Sequence, residues 1–233
     1  NPMFLRESGL EPEKPIEAMR DYLRALRALF AAEAVQQEGR TFKLAGARVA
    51  FKTEPPVPIY IAAMGPQMLT LTGRVADGVV LSAGLSTTSV KRALATVDEG
   101  ARAEGRDPTM LGKSSYIYFL AGGEPADTRL RVREKLAFLF RNAAIKDNLV
   151  ASGLDVDHEA IMAAVARRDV SAAAALVPDE AVDLFSITGD VGTCRRRVRE
   201  YRDAGLSEIV LSLVGTTEDR MRSLEHVSAI VAC

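Results

Sequence analysis

Pro58-Ile59-Tyr60-Ile61-Ala62-Ala63-Met64-Gly65-Pro66-Gln67-Met68-Leu69 is an apolar run between prolines that passes directly into a helical pattern. Ile59, Tyr60 and Ile61 are strand formers, and an unbroken apolar run bounded by turn residues marks a strand covered on both faces. The side chains then shrink to Ala62 and Ala63, which leaves space above the end of the strand. Met64-Gly65-Pro66 turns the chain, with Pro66 suited to the first helical position. A helix start presents unsatisfied N–H groups and a partial positive charge, so an anion is its natural guest. The same residues also satisfy a plain strand-turn-helix joint.

Similar units recur downstream. Met68, Leu69, Leu71 and Val75 form a short helix that stops at Ala76-Asp77-Gly78, and Val79-Val80-Leu81-Ser82 starts a second strand. Thr87 or Thr88 is placed to cap a helix with Val90, Leu94, Val97 and Ala101 on its apolar side. Ser114 to Leu120 reads as a third strand ended by Gly122-Gly123, its aromatics serving the core. Glu208 to Val214 reads as a fourth, after a helix capped by Thr188-Gly189-Asp190 and carrying Cys194, Val198 and Tyr201 inward, with Arg195, Arg196, Arg197 and Arg199 mostly on its wet face. A last helix fills 218–231.

Before the first strand, Ile16, Met19, Leu23, Leu26 and Phe30 recur at helical spacing, with Pro15 in the first turn. Residues 1–12 suit a loop. The broken pattern from Val35 to Val57, with the runs Thr41-Leu44 and Arg48-Phe51, suggests a small hairpin outside the main sheet. Between the third and fourth strands, residues 124–185 form a helical insertion in which Leu130, Val132, Leu136, Phe138, Leu139 and Phe140 read as a largely buried segment.

Alternating strands and helices build a parallel sheet with right-handed crossovers, an α/β fold. The four exits, at Ala62–Gly65, Ser82–Gly84, Gly122-Gly123 and Val214–Thr216, are all small or polar. In a (β/α)₈ barrel that rim is where chemistry is located. Eight strands are the barrel's full complement and four are legible here; with Asn1 rather than Met at position 1, the expectation is that the first half precedes this chain.

The totals exclude several functions. A net charge of -1 over 233 residues, without a long basic run, argues against a nucleic-acid surface. No apolar window approaches the ~18 residues of a membrane span. Cys194 and Cys233 form no framework and fit a reducing compartment. His158 and His226 lack neighbours at ligand spacing and read as surface residues, so no metal site is expected. The Arg195–Arg199 run reads as a solvated face.

The Pro58–Pro66 segment, with Met68-Leu69, Gly73 and Ala76-Asp77-Gly78-Val79-Val80-Leu81, resembles the central segment of the bacterial-luciferase-like superfamily. More narrowly it is similar to the branch that uses the deazaflavin coenzyme F420, including methylenetetrahydromethanopterin reductases. Thr188-Gly189-Asp190 and Tyr201-Arg202-Asp203-Ala204-Gly205-Leu206-Ser207-Glu208-Ile209-Val210-Leu211 resemble the family's last helix-strand unit, and Pro15–Phe30 its helix before the excursion.

That resemblance implies a luciferase-like TIM barrel of which residues 1–233 form the later part as one domain. It implies Ala62, Ala63, Met64, Gly65 and Pro66 beside the cofactor, with Asn1 near the deazaflavin. The family's ring-facing and acid-base residues lie mostly upstream, so no catalytic residue is assigned here. Two activities follow from it: hydride transfer between coenzyme F420 and a small organic substrate, or an FMN-dependent monooxygenase; the uncovered edges of a four-strand fragment allow a third reading, a non-catalytic partial barrel that pairs with a partner. The expected setting is cytoplasmic, with a small-molecule substrate, no nucleic acid, no membrane, and a homodimer as the candidate oligomer.

Overall fold

The computed structural model describes residue 8 and residues 14–38, 42–142 and 145–232. Helix α1 (Pro15–Phe30) leads into strands β1 (Val35–Glu38) and β2 (Lys43–Ala47). Strand β3 (Tyr60–Ala62), α2 (Pro66–Val75), β4 (Gly78–Leu81), α3 (Thr87–Ala103) and β5 (Gly112–Ala121) follow. Five helices come next: α4 (Pro125–Phe140), α5 (Lys146–Ala151), α6 (His158–Ala166), α7 (Val170–Ala175) and α8 (Glu180–Phe185). The chain closes with β6 (Ser186–Gly189), α9 (Val191–Asp203), β7 (Glu208–Leu213) and α10 (Thr217–Val231). It divides into two compact units, and the divisions fall within β3, after Met64, after Gly78, within α3 and after Leu111.

The first unit, residues 1–61, 65–78 and 96–111, is held by polar ties to backbone and one close helix contact. The expected hairpin is present as the antiparallel pair β1–β2. Its second strand is Lys43–Ala47, whereas Arg48–Phe51 is not a strand; the left-handed Gly46 (φ 73°) near its end turns the chain before that run. Phe42 stacks on Tyr22 of α1 with ring centroids 4.6 Å apart. Leu23 and Ala25 are the buried residues of α1, whereas Leu26, expected on the buried stripe, is 38% exposed.

Asp77 ties three segments together. Its carboxylate accepts from the Ile59 N–H at 2.8 Å and from Arg27 at 2.9 Å, while its own N–H donates to the Ile59 carbonyl at 2.9 Å. Arg106 donates to the Gly73 and Ala76 carbonyls, each at 2.6 Å, satisfying acceptors that the end of α2 leaves open. Helices α2 and α3 meet backbone to backbone: a Cβ on Gly73 would lie 1.9 Å from the Val97 carbonyl oxygen, and one on Gly100 would lie 2.4 Å from that of Thr70.

The second unit, residues 62–64, 79–95 and 112–233, contains most of the sheet, whose order is β3-β4-β5-β6 with β7 also paired to β5. Both β6 and β7 run parallel to β5: Phe119 is in register with Ile187 on one side and Leu213 on the other. Strand β6 is a fifth sheet strand that sequence reading assigned to the cap before α9, because four residues between two helices are too short to show a period. Tyr118 and Leu120 of β5 enter one core with Val132, Leu136, Phe140, Ile161 and Phe185, so the helical insertion is built onto the sheet. Phe140 and Phe185 meet edge to face at 5.6 Å. Leu130 and Phe138, read as buried, are instead 40% and 53% exposed, because α4 has one face on this core and another outside it.

Gly73→Ala places a methyl where backbone cannot yield, so it is expected to destabilise the protein by about 3 kcal/mol or more. Urea unfolding measures this; a loss below about 1 kcal/mol would show that α2 and α3 do not depend on the contact.

Candidate functional site

The carboxyl ends of the strands carry the small residues expected of a binding rim. At the end of β3, Ala62 is exposed, Ala63 is buried and Met64 is 37% exposed. The Ala63 N–H donates to the Val80 carbonyl of β4 at 3.1 Å, which fixes the backbone beneath the exposed Ala62. The next residues, Gly65 and Pro66, are exposed and begin α2, with Gly65 as the N-cap and Pro66 in the first turn. No side chain caps this helix and no acidic residue lies in its first turn. Leu69 N–H closes the first turn on the Gly65 carbonyl at 2.9 Å, leaving the Gln67 and Met68 N–H groups outside the intrahelical ladder.

Gly65 itself has φ -77°, and a Cβ there would meet nothing within 4 Å. The turn therefore does not require glycine for its backbone. Asn1 lies outside the described residues. Ala62 to Pro66 are consecutive and four of the five are exposed, which suits contact with a ligand.

After β4, the loop is organised by buried hydroxyls. Ser86 accepts the Ser89 N–H at 3.2 Å and so caps α3, the role expected of Thr87 or Thr88, which already lie inside the helix. The Ser86 and Ser152 hydroxyls share a hydrogen bond of 2.7 Å, and Ser152 also lies within reach of the Asn148 carbonyl. The fully buried Tyr201 hydroxyl donates to the Leu85 carbonyl at 3.0 Å and reaches that of Leu184 at 3.2 Å. The spacing predicts Tyr201 as an inward-facing residue, but its role at this loop joins residues 116 apart and has no local sequence signal.

A cleft of about 430 Å³ opens beside the exits of β5 and β6, where Gly122, Gly123, Thr188, Gly189, Asp190 and Arg129 line it. Asp190 caps α9 by accepting from the Thr193 N–H at 2.6 Å, as the sequence predicts, and its carboxyl is held below the usual range by that bond and by the Thr193 hydroxyl. Arg129 holds Asp183 through two bonds of 2.9 and 3.0 Å and Asp179 through two of 2.8 Å, one to its carboxylate and one to its carbonyl, tying α4 to α8 and its N-cap. Arg197 departs from the expected wet face: its side chain is 13% exposed, pairs with Glu200, and donates to the Ser186 and Leu184 carbonyls.

The histidines are half-buried rather than on the surface. His226 faces the β5 exit, 3.0 Å from where a Gly122 Cβ would lie, and His158 buries Nε2 without a partner among the described residues. No cluster of metal-ligating side chains occurs among the described residues, nor is any helix there long and apolar enough to cross a membrane. Burial, reinforced by Asp190, pushes the Cys194 thiol up to about 12, and burial raises the Tyr201 hydroxyl to about 12 against the pull of Arg197. Neither is poised as a nucleophile or base near neutral pH.

A family model described as luciferase-like monooxygenase matches residues 1–208. The chain is 31% identical to the 5,10-methylenetetrahydromethanopterin reductase of Methanolobus tindarius over 217 residues, which is 91% of this chain and 65% of that protein. It is 29% identical to the reductase of the same name from Archaeoglobus fulgidus, covering 94% of this chain and 66% of that one. The chain thus spans about two thirds of the length of these curated relatives. Among solved structures, the coenzyme F420 dependent tetrahydromethanopterin reductase of Methanopyrus kandleri superimposes with a TM-score of 0.84 at 24% identity, covering 99% of this chain and 71% of that one. The fold is therefore shared across almost the whole chain, and the expectation of a luciferase-like α/β fold is borne out.

Replacing Tyr201 by Phe removes the donor to the Leu85 carbonyl, while Arg197 still reaches that of Leu184, and is expected to cost about 1–2 kcal/mol. Both raised groups hold their protons more tightly in the folded chain. Their stabilisation is complete below pH 9, the ordinary thiol value, and is lost as pH rises toward about 12. Unfolding midpoints between pH 8 and 12 should therefore fall less steeply in a Tyr201→Phe, Cys194→Ala variant; an unchanged slope would contradict this.

Proposed function

The chain belongs to the luciferase-like monooxygenase family, and on that premise we propose that it serves an oxidoreductase moving a hydride between coenzyme F420 and a small organic substrate. The observation that carries this reading is the strand exit at Ala62, where an exposed methyl side chain on a pinned backbone precedes a helix start without a side-chain cap or an acid. Such residues fit a flat ring and the anionic tail attached to it. The names of the relatives point the same way, since methylenetetrahydromethanopterin reduction and F420 dependence both appear among them.

Residues Ala62, Ala63, Met64, Gly65 and Pro66 would hold the cofactor. When bound, it supplies a ring carbon that carries the hydride. The chain supplies position: Ala62 offers room for the ring, Ala63 fixes the backbone beneath it, and the uncapped first turn of α2 favours negative charge. Asn1 belongs to this proposal by resemblance. The setting proposed is cytoplasmic, with a homodimer as the working oligomer. A second reading, an FMN-dependent monooxygenase, is favoured by the family description itself and is distinguished by substrate-dependent oxygen consumption with reduced FMN.

Titration of the full-length protein with oxidised and reduced F420 tests the first reading, which fails if neither form binds saturably. Ala62→Leu is expected to weaken binding tenfold or more while leaving the unfolding midpoint unchanged, because Ala62 is exposed. Ala63→Leu should instead lower stability by about 1–3 kcal/mol, as its side chain is buried.

A further inference from the structure

A second cleft, of about 570 Å³, lies in the second unit where the exit of β7 meets α4, α10 and the turn between α6 and α7. Its volume is in the range of small-molecule sites. Its floor is apolar and open: Phe138 and Val170 are each 53% exposed. Around that floor stand Arg131, Lys135, Arg168 and Arg220, against the single lining carboxylate of Glu134.

These cations are not equivalent. Arg131 is engaged by the Asp219 carboxylate at 2.9 Å. Lys135 sits over two aromatic faces, 5.8 Å from the Tyr118 centroid and 6.0 Å from that of Phe138, which places its charge beside the apolar floor. Arg168 adopts φ 61°, a left-handed conformation that glycine or asparagine usually fills after a helix. Arg168 and Arg220 make no ion pair among the described residues. Three cations free of Asp219 thus face one Glu134 around an exposed aromatic ring.

We propose that this cleft binds a ligand with a flat apolar body and a carboxylate or phosphate at one end, the body on Phe138 and the anion among Lys135, Arg168 and Arg220. In the terms of the proposed function, on which this assignment rests, the ligand is the organic substrate.

Calorimetric titration of the intact protein with phenyl phosphate, inorganic phosphate and phenol tests the cleft. Phenyl phosphate is expected to bind at least tenfold more tightly than either fragment, with affinity falling as salt is added. An Arg168→Gln, Arg220→Gln variant should lose tenfold or more of that affinity and retain both its unfolding midpoint and its affinity for F420. Undetectable phenyl phosphate binding, or equal binding by the variant, overturns the proposal. A parallel loss of F420 affinity also overturns it, assigning the cleft to the cofactor's own anionic tail. If the wild type binds phenyl phosphate and the variant does not, yet neither binds F420, the anion cleft stands and the F420 assignment falls.

Discussion

Strand β5 has neighbours on both edges, and the second unit depends on that commitment. Phe119 is held between Ile187 and Leu213, and the ladders continue past the strands through Gly122 N–H to the Gly189 carbonyl and Val214 N–H to the Phe119 carbonyl. A shift of one residue would reverse every side chain of β5 between its faces. Tyr118 and Leu120 would then leave the core they share with Val132, Leu136 and Phe140, and the helical insertion would lose its base. The register of one strand therefore sets both the insertion and the two exits that flank it.

Side chains from the helices complete what the ladders begin. Tyr201 donates to the Leu85 and Leu184 carbonyls, Arg197 to those of Leu184 and Ser186, and Ser223 accepts the Ala121 N–H at 3.0 Å. Asp219 shows how burial and pairing compete. Burial alone would raise its carboxyl, but hydrogen bonds from Thr216 and Arg222, with the charge of Arg131, hold it below the ordinary value. Buried polar groups satisfied in this way give each exit one conformation, whereas an unpaired group would cost about 1–3 kcal/mol.

The strand-helix alternation was legible because each unit carries its own punctuation: Pro66 opens α2, Asp190 caps α9, and Val90, Leu94, Val97 and Ala101 are all buried as their spacing requires. What escaped sequence reading was short or non-local. Strand β6 has four residues and no period. Phe138 is apolar and lies in a dense run, yet half of it meets solvent, because periodicity gives a helix a buried face without showing where that face ends. Arg197 looked like one more charge on a wet face, and only the tertiary structure brings the Leu184 and Ser186 carbonyls to it. At the candidate site the small residues were visible, whereas the negative φ of Gly65 was not, since glycine permits both hands of backbone and its sequence position records neither.

The titratable groups around the strand exits are largely committed to structure. Asp190 and Asp219 cap helices, Arg129 clamps two aspartates, and Cys194 and Tyr201 are pushed beyond physiological titration. A group that holds a helix end or a buried carbonyl cannot exchange its proton without loosening the exit it supports. These residues are thus suited to holding the strand exits in place, and the hydride transfer proposed above would make that demand: the donor carbon and the acceptor carbon must be held together with water kept out. In the proposed function, Ala62 on its pinned strand end and the uncapped start of α2 would answer the same demand, offering space and backbone donors in place of a reactive side chain.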